Sequence, residues 1–549
     1  MEKNYLLPGF FFKLERIMLR SILIICGILI LSESTVAANK VDSLLSIAGS
    51  LKEQNYTIPS WTLLKRAVKS ASSSTDPTST QALQNSLNAL KSKETPYSIV
   101  SCINGSPASR LGFAWFTNAG VTGGRVEIVY GAATSNKAFK KPVLVIKATS
   151  VNVPDLNYNS KGNGLSGLAD IADNTKKSYT QNKALATGLT PNTFYSYRVG
   201  KPGAWSETGS FTTASSNKDK FSFIYTTDPQ ANTDAMFDIS QKTTHAANTM
   251  YPDVNFWLMC GDLVQSSGEN NSEWEYEQFF QTQQDIFLKK PFAPIIGNHD
   301  FSTNRNFTHH FNTDSIGFDY AKSTVPGSIY SFVYGDALFM GFSYEDYNIP
   351  GQLDSIDNWI RRQVAANPNT KWRIAFYHKC LYTGSTSHQS DDNGRLVREK
   401  MGPVFDELKI DLALQGHDHI YEVMGPIKNK TLIKDAVLNQ TTENVDPKTN
   451  LTGKSGGVYN VKTGTLYFLN NSSGRKKYVP RSQVEMESPL VVASTGLPDY
   501  FNLFSGRFGQ DGNPMYSYIS VTTGSIEVKT YEISSSGDVK TFDDFKLVK

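Results

Sequence analysis

The sequence predicts a multidomain protein built from a small α-helical bundle, a β-sandwich and an α/β domain. The first observation behind this prediction is length, since 549 residues exceed the ~100–200 that one domain typically has. The second is the spacing of apolar residues, which changes along the chain from helical, to strand-like alternation, to buried apolar runs separated by helical segments. A single compact core is therefore excluded.

Residues 1–38 have the pattern of a signal peptide. An apolar run, 21–32, follows Arg16 and Arg20, and small residues ending at Ala38 follow the run. A membrane-spanning helix needs ~20 apolar residues, so the run is short for an anchor, although an uncleaved anchor stays the alternative. The long stretch before Met18 favours Met18 as the start of translation. We expect a secreted or periplasmic protein with no membrane span after cleavage.

The charge and cysteine content exclude two further classes. The chain has 54 Lys and Arg against 51 Asp and Glu, a net charge of +3, so no overall positive field would attract nucleic acid. Any phosphate group must be attracted locally. Beyond the signal, only Cys102, Cys260 and Cys380 remain, without close pairs, so the protein is no disulfide scaffold. At most one bridge joins them, and buried free thiols are the alternative.

Residues 39–95 are predicted to form the helical bundle. Apolar residues recur there at helical spacing, among them Leu44, Leu51, Leu83 and Leu87. The pattern resembles the FIVAR modules of bacterial surface and secreted proteins over about fifty residues. We interpret the module as a spacer that binds nothing, and a contact with glycan or cell wall is the alternative.

Residues 96–215 are predicted to form the β-sandwich, because short alternating strands such as RLGFAWFT, GRVEIVYG and TFYSYRVG are separated by Gly, Pro and Asn turns. The stretch ALATGLTPNTFYSYRVGKPGAWSETGSFTTA resembles the end of a fibronectin type III-like domain. More narrowly, it is similar to the sandwich that precedes the catalytic domain of purple acid phosphatases.

Residues 220–549 are predicted to form the α/β domain. Apolar runs alternate with helical segments there, as in sheets whose strands are buried on both faces; the runs are 221–225, 254–260, 291–296, 372–377 and 411–415. A hairpin is expected about Gly335-Asp336. After the turn-rich region that begins at 430, strands are expected again in GTLYFLNNS, PLVVAST and MYSYISVTTGSIEVKTYEI.

Each of the five apolar runs ends in a side chain that could bind a metal ion. These side chains are Asp228, Asp262, Asn298 with His299, His378, and His417 with His419. Sites in open α/β sheets form outside the carboxyl ends of strands, so one edge of the sheet would receive carboxylates, an amide and imidazoles together. Any one of them alone would suit an ordinary turn. The whole set has the composition of a two-metal hydrolase.

In this order the motifs resemble those of the calcineurin-like metallophosphoesterases, and among them the purple acid phosphatases, over about 98–549. The resemblance implies an α-β-β-α sandwich that holds two divalent or trivalent metal ions of Fe, Mn or Zn. It implies that Asp228, Asp262 and His419 bind one ion, while Asp262, Asn298, His378 and His417 bind the other. Asp262 would bridge the two.

The resemblance also implies catalytic roles for two histidines. His299 corresponds to a histidine that contacts phosphate or protonates the leaving group, and His388 lies where the plant-type enzymes keep a second one. Asp300 would orient His299. His309 and His310 are expected in a loop after GNHD, either over the site or, the favoured interpretation, solvated.

Two positions depart from the family pattern. Gln265 replaces the tyrosine that gives purple acid phosphatases a phenolate ligand, and Gln230 replaces the ligand histidine of the wider family. The first metal site therefore lacks its usual fourth protein ligand. Gln230 is either a weak ligand or an amide that supports a ligand from outside the metal's coordination shell.

The resulting prediction is a secreted metallophosphoesterase that hydrolyses phosphate monoesters of small molecules by means of a metal-bridging hydroxide. Three alternatives stay open. The same site could cleave phosphodiesters or nucleotides, or the protein could be a surface-binding protein whose phosphatase site has decayed. The loop sequences around the site do not specify the leaving group of the substrate.

Overall fold

We analysed a computed structural model that describes residues 40–74, 76–158, 176–217, 220–302, 305–313, 318, 325–441, 451–453 and 455–549. The chain divides after Glu94 into two compact units, and the second runs from Thr95 to Lys549. The predicted signal peptide, residues 1–38, lies outside the described residues. None of the helices described is both long and apolar enough to span a bilayer.

The first unit contains three helices, α1 over 40–50, α2 over Ile58–Ser73 and α3 over Pro77–Asn88. Their starts follow local sequence signals, since a proline lies in the first turn of α2 and α3 and the Asp76 side chain caps α3 by accepting from the Thr78 N–H at 3.0 Å. The helices share a small core of Leu44, Ala48, Leu64, Ala67, Ala71 and Leu83. The FIVAR-like assignment of this unit stays a prediction.

The second unit begins with nine strands. They are β1 (Tyr97–Cys102), β2 (Arg110–Asn118), β3 (Arg125–Tyr130), β4 (Leu144–Lys147), β5 (Thr149–Asn157), β6 (Lys176–Thr187), β7 (Phe194–Lys201), β8 (Ala204–Trp205) and β9 (Gly209–Thr212). Strands β1, β2, β6 and β5 pair in that order, while β4, β3, β7 and β8 form a second sheet to which β9 adds. Aromatic residues such as Phe113, Trp115 and Phe211 belong to a shared buried cluster. The fibronectin type III-like classification stays a prediction.

The α/β part contains the predicted apolar runs as strands: β10 (Phe221–Thr226), β11 (Phe256–Cys260), β12 (Phe292–Ile295), β15 (Trp372–Phe376) and β16 (Leu412–Gln415). The hairpin about Gly335 is β13 (Tyr330–Tyr334) and β14 (Ala337–Gly341). The helices are α4 (Asp234–Met250), α5 (Glu273–Phe287), α6 (Asn306–His310), α7 (Gln352–Ala366) and α8 (Asp392–Leu408). These elements confirm the predicted alternation.

The C-terminal part supplies further strands and two short helices. The strands are β17 (Tyr421–Lys428), β18 (Thr431–Leu432), β19 (Val437–Thr441), β20 (Leu451–Thr452), β21 (Ser455–Asn460), β22 (Thr465–Asn470), β23 (Phe504–Gly509), β24 (Met515–Val521), β25 (Ser525–Ile533) and β26 (Val539–Val548). The helices are α9 (Gln483–Met486) and α10 (Pro489–Thr495). The prediction of a strand at PLVVAST is therefore wrong, because Pro489 begins a helix there and Gly496 ends it in a left-handed conformation.

Two large sheets position the site. One has the order β19-β21-β26-β25-β24-β10-β11-β12-β1-β2-β6-β5, and the other has β13-β14-β15-β16-β22-β17-β23-β20. A buried cluster joins side chains from both, for example Phe223 and Leu258 of the first with Ile374 and Leu414 of the second. Tyr225 of β10 donates a hydrogen bond to the Gln415 carbonyl, which brings the ends of the two sheets together. The parallel strands β10 to β12 and β15, β16 and β22 end at this place.

Part of the predicted sandwich, β1, β2, β6 and β5, continues the α/β sheet, because β1 pairs in parallel with β12 at Cys102 and Phe292. Where β1 is irregular, α5 completes its hydrogen bonds: the Gln284 side chain accepts from the Ile99 N–H at 2.9 Å and donates to its carbonyl at 2.7 Å. Cys102, like Cys260 and Cys380, is a buried free thiol. The chain from Thr95 onward is thus held together by main-chain pairing.

The Gln284 contact gives a stability prediction. Gln284→Leu leaves the Ile99 N–H and carbonyl without partners, so we expect a loss of ~1–3 kcal/mol in the free energy of unfolding. Gln281→Leu, an exposed position on the same helix, is the matched control and should change it by less than ~0.5 kcal/mol. Urea denaturation followed by circular dichroism measures both. Equal midpoints for the two variants would contradict the proposed role of the contact.

Candidate metal centre

Asp228 follows β10 and is fully buried, with a left-handed φ of 52°. One carboxylate oxygen, Oδ2, accepts hydrogen bonds from the Thr227 hydroxyl at 2.5 Å and the His417 N–H at 3.0 Å. The other, Oδ1, lies 3.3 Å from Nε2 of the buried His419. Neither of these two facing atoms has a hydrogen-bond partner among the described residues. Such a buried pair of atoms without hydrogen bonds fits a cation between them.

Asp262 follows β11 in the same left-handed conformation, with φ 52°. Its Oδ1 accepts from the His299 N–H at 2.8 Å and lies 3.2 Å from Nε2 of His378. Its Oδ2 accepts from the Gln230 amide at 3.1 Å. The two oxygens therefore face different neighbours, as a carboxylate that bridges two ions requires.

His378 is oriented by the main chain. Its Nδ1 lies 2.7 Å from the Cys260 carbonyl, and because a carbonyl only accepts, Nδ1 carries the hydrogen. Nε2 lies 3.0 Å from Oδ1 of Asn298, and in the neutral ring it carries the lone pair that a metal ion could bind. Ligand atoms of Asp262, His378 and His417 lie within 4.8 Å of one another. This is the second group of atoms that a metal ion would join.

The charges of the cluster also suit a bound cation. Burial works to raise the pKa of Asp262, but His378 and His299 outweigh it and hold that pKa below its usual range. Burial works to lower the pKa of His378, but Asp262 and Asp228 raise it to about 10. Burial and the neighbouring His388 and His378 lower the pKa of His417. Asp262 and Asp228 therefore favour positive charge at this position, which a bound metal ion would also provide.

The predicted ligands thus come together as two sets of neighbouring side chains, and the Asp262 carboxylate contacts the second set. Asp228 and His419 belong to the first set, and Asn298, His378 and His417 to the second. Hard carboxylate oxygens with imidazoles suit Mn, Fe or Zn, and the unmatched atoms on Asp228 and His419 show that the residues fit a metal. The ligand assignment itself stays a prediction.

Three glycines allow the ligand loops to approach closely. A Cβ added to Gly261, whose φ is +86°, would lie 2.7 Å from Nδ1 of His378. One added to Gly416 would lie 2.4 Å from the Cys260 carbonyl oxygen, and one at Gly297 would lie 2.2 Å from Oδ1 of Asp262. A larger residue at any of these three positions would clash, which explains why glycine precedes the ligand in GD, GN and GH.

The two predicted catalytic histidines flank the cluster. Nδ1 of His299 contacts the Gln265 carbonyl, and its Nε2 lies 4.0 Å from Oδ2 of Asp262. Nδ1 of His388 lies 2.8 Å from the Asp391 carboxylate, and the His388 ring stacks on His417 with 3.9 Å between ring centroids. Burial lowers the pKa of His299, whereas Asp391 outweighs burial and raises the pKa of His388. Both histidines have Nε2 left for a substrate.

The two departures from the family pattern have different environments. Gln230, with a left-handed φ of 39°, donates to Asp262, and its own carbonyl oxygen is buried without a partner among the described residues. Gln265 is held through its backbone, because its N–H donates to the Glu275 carboxylate at 2.9 Å. The side-chain nitrogen of Gln230 thus contacts the predicted ligand Asp262 directly. Its side-chain oxygen stays available to bind a metal ion.

Two expectations about neighbouring residues, Asp300 and His310, are wrong. Asp300 does not orient His299, since its carboxylate accepts from the Leu263 and Gly297 N–H groups at 3.0 Å and ties those two loops together. His310 lies neither over the site nor in solvent. It is buried on α6 with Nε2 2.8 Å from Glu273, and His309 contacts Gln181.

One segment beside the site was missed by sequence reasoning. Residues 471–478 follow β22, which pairs in parallel with β16 and so ends at the same edge as the ligand strands. The Ser472 hydroxyl donates to the Asp228 carbonyl at 2.7 Å, and the Tyr478 ring lies 4.5 Å from that of His419. The apolar run TLYFLN ending in NNSSG was a usable signal for another strand end at this edge.

The steric role of Gly297 is testable. Gly297→Ala would place a methyl group against Asp262, so we expect metal affinity to fall by about 10–100-fold or more as the carboxylate is displaced. Gly402→Ala on α8 is the matched control, because no atom lies within 4 Å of the added Cβ. Metal titration of both purified variants measures the difference. A Gly297→Ala protein with wild-type metal affinity would contradict the proposed packing.

Two family models match the chain. Residues 221–421 match the calcineurin-like phosphoesterase family, and residues 96–213 match the purple acid phosphatase N-terminal domain. The solved purple acid phosphatase PPD1 from yellow lupin (Lupinus luteus) seeds has a similar fold, with a TM-score of 0.58 at 14% identity, and the match covers 83% of this chain and 74% of that one.

Curated relatives agree with this classification. Probable purple acid phosphatase 20 of Arabidopsis thaliana is 26% identical over 242 residues, which are 43% of this chain and 53% of the relative. Serine/threonine-protein phosphatase CPPED1 of Rattus norvegicus is 25% identical over 194 residues, which are 33% of this chain and 58% of that protein. The chain spans about half to three fifths of the length of such relatives. Together these similarities relate residues 221–421 to the calcineurin-like phosphoesterases and residues 96–213 to the N-terminal domain of the purple acid phosphatases.

Proposed function

We propose that this protein hydrolyses phosphate monoesters of small molecules at a centre of two metal ions. The observation that carries the proposal is the convergence of the predicted ligands, in which Asp228 faces His419 and Asp262 lies beside His378 and His417. Two bound ions would supply the charge that activates a water molecule and neutralises phosphoryl oxygens.

The protein's own contribution is orientation. Main-chain donors hold Asp228 and Asp262, and the Cys260 carbonyl fixes the His378 tautomer, so the ligand atoms converge before any substrate arrives. Asn298 completes the second set through its side-chain oxygen. This arrangement supports hydrolysis over the alternative of a decayed binding protein, because Asp228 Oδ1 and His419 Nε2 have no hydrogen-bond partner among the described residues.

We assign the leaving-group proton to His388. Its Nδ1–H donates to the Asp391 carboxylate, which stabilises the charged imidazolium and leaves Nε2–H as the acid. The Nδ1–H of His299 donates instead to a neutral carbonyl, that of Gln265. His299 therefore suits contact with the phosphate more than proton donation.

We propose that the reaction takes place outside the cytoplasm, in a secreted or periplasmic location. Support comes from the charged, apolar and small-residue pattern of residues 1–38. We also propose that the N-terminal helical unit is a spacer that binds no partner.

The central test is Asp262→Asn. Loss of the shared carboxylate should abolish binding of both metal ions and reduce turnover of 4-nitrophenyl phosphate by at least about 10³-fold, with the circular dichroism spectrum unchanged. Asp538→Asn, in an exposed turn, is the control and should match wild type. Wild-type turnover by Asp262→Asn, or a wild-type chain that holds less than one metal ion, would overturn the proposal.

The proton assignment is tested by comparing leaving groups. His388→Ala should lower turnover of an alkyl phosphate by about 10²–10⁴-fold, but that of 4-nitrophenyl phosphate much less, because a nitrophenolate leaves without a proton. His299→Ala should lower turnover of both substrates similarly, and both variants should retain metal. His245→Ala, on the half-exposed face of α4, is the control. A loss by His388→Ala that is equal for both substrates would contradict the assignment.

A further inference from the structure

The segment Ser472–Tyr478 is attached at both of its ends to loops that carry metal ligands. The Ser473 N–H donates to the Thr227 carbonyl at 2.8 Å, next to Asp228. The Tyr478 N–H donates to the carbonyl of His419 itself at 3.1 Å. Residues 474–477 therefore span the interval between two ligands of the same predicted ion.

This span contains three consecutive cations, Arg475, Lys476 and Lys477, in a chain whose net charge is only +3. They have different surroundings. Arg475 and Lys477 are exposed, and the Lys477 ammonium lies beside Gly512, where Asp511 acts on its charge. Lys476 alone is half-buried.

Lys476 lies within the span that is attached next to Asp228 at one end and to His419 at the other. Its charge interacts with the carboxylates of Asp262 and Asp228 and with the imidazole of His299. Burial lowers the pKa of Lys476, and the two carboxylates act against that effect. No described residue forms an ion pair with it. When metal ions neutralise Asp228 and Asp262, the positive charge of Lys476 has no anion left to match it.

An anionic substrate would provide the missing charge. A phosphate monoester has a second ionisation near pH 6 and is a dianion at pH 8, whereas a diester keeps one negative charge at every pH of interest. A cation beside the metal centre therefore attracts a monoester more strongly than a diester. In a site shielded from water this difference is larger than on the surface.

We propose that Lys476 binds the second negative charge of the substrate phosphate and so determines the preference of this site for monoesters over diesters. The proposal rests on the function proposed above and specifies its substrate class. Lys476 acts as a specificity-determining residue, contacting a non-bridging phosphate oxygen and taking no part in bond making or breaking.

The test compares Lys476→Met, which keeps the length of the side chain and removes its charge, with Lys477→Met as the matched control. At pH 8, Lys476→Met should lower kcat/KM for 4-nitrophenyl phosphate by about 10–100-fold and that for bis(4-nitrophenyl) phosphate by less than about threefold. Lys476→Arg should recover most of the monoester activity, and Lys477→Met should change neither substrate.

A binding measurement separates this proposal from the proposed function. Calorimetric titration of the metal-loaded protein with inorganic phosphate should show about 10–100-fold weaker binding for Lys476→Met, at unchanged metal content. If wild type hydrolyses neither ester, the proposed function fails, and the phosphate titration still decides whether Lys476 binds the dianion. Equal losses for monoester and diester, unchanged phosphate affinity, or loss of metal by Lys476→Met would each overturn the role assigned to Lys476.

Discussion

The Asp262 carboxylate is buried where the loops after β10, β11 and β12 meet, and its two oxygens face different sets of groups. His299 and His378 approach one oxygen, and Gln230 approaches the other. A buried carboxylate is stable only when several donors or cations surround it. The loops of the site are therefore arranged around this one charge, and the three glycines at the ligand positions follow from how tightly they pack.

Much of this could be predicted from the sequence, because parallel strands that are buried on both faces have a strong apolar pattern and their carboxyl ends share an edge. The six ligand-type residues were found in this way. The segment 471–478 was not, since it carries no carboxylate or imidazole and its strand was not recognised as parallel to β16. Proximity to a site can be read from a sequence only when the residues have diagnostic chemistry.

Other misses have a tertiary origin. His310 looked like a loop residue, but α6 buries it between the rings of Phe116 and Tyr276. Asp300 looked like a partner of His299, yet two backbone N–H groups compete successfully for its carboxylate. The segment PLVVAST has strand-like composition, and a proline at its start with a glycine after its end outweighs that preference.

Helix α5 links the site to the sandwich. Its Glu275 carboxylate accepts from the N–H groups of Gln265 and Ser266, both at 2.9 Å, and so fixes the loop that follows Asp262. About two and a half turns away along the helix axis, Gln284 completes the hydrogen bonds of β1, and Leu288 after the helix joins the sandwich cluster. The sandwich therefore supports the position of a metal-ligand loop and is more than an appended module.

Strain and charge are concentrated in the same residues. Asp228, Asp262 and His417 all have left-handed backbone conformations, each of which costs roughly 1–3 kcal/mol unless the surroundings impose it. The surroundings do so through buried strands and main-chain hydrogen bonds, which leave Asp228 Oδ1 and His419 Nε2 unmatched. A cation bound to these atoms would offset the energetic cost of the left-handed conformations and of the two buried atoms without partners. Metal binding and local stability are thus coupled at the strand ends, while the two sheets owe their stability to apolar packing.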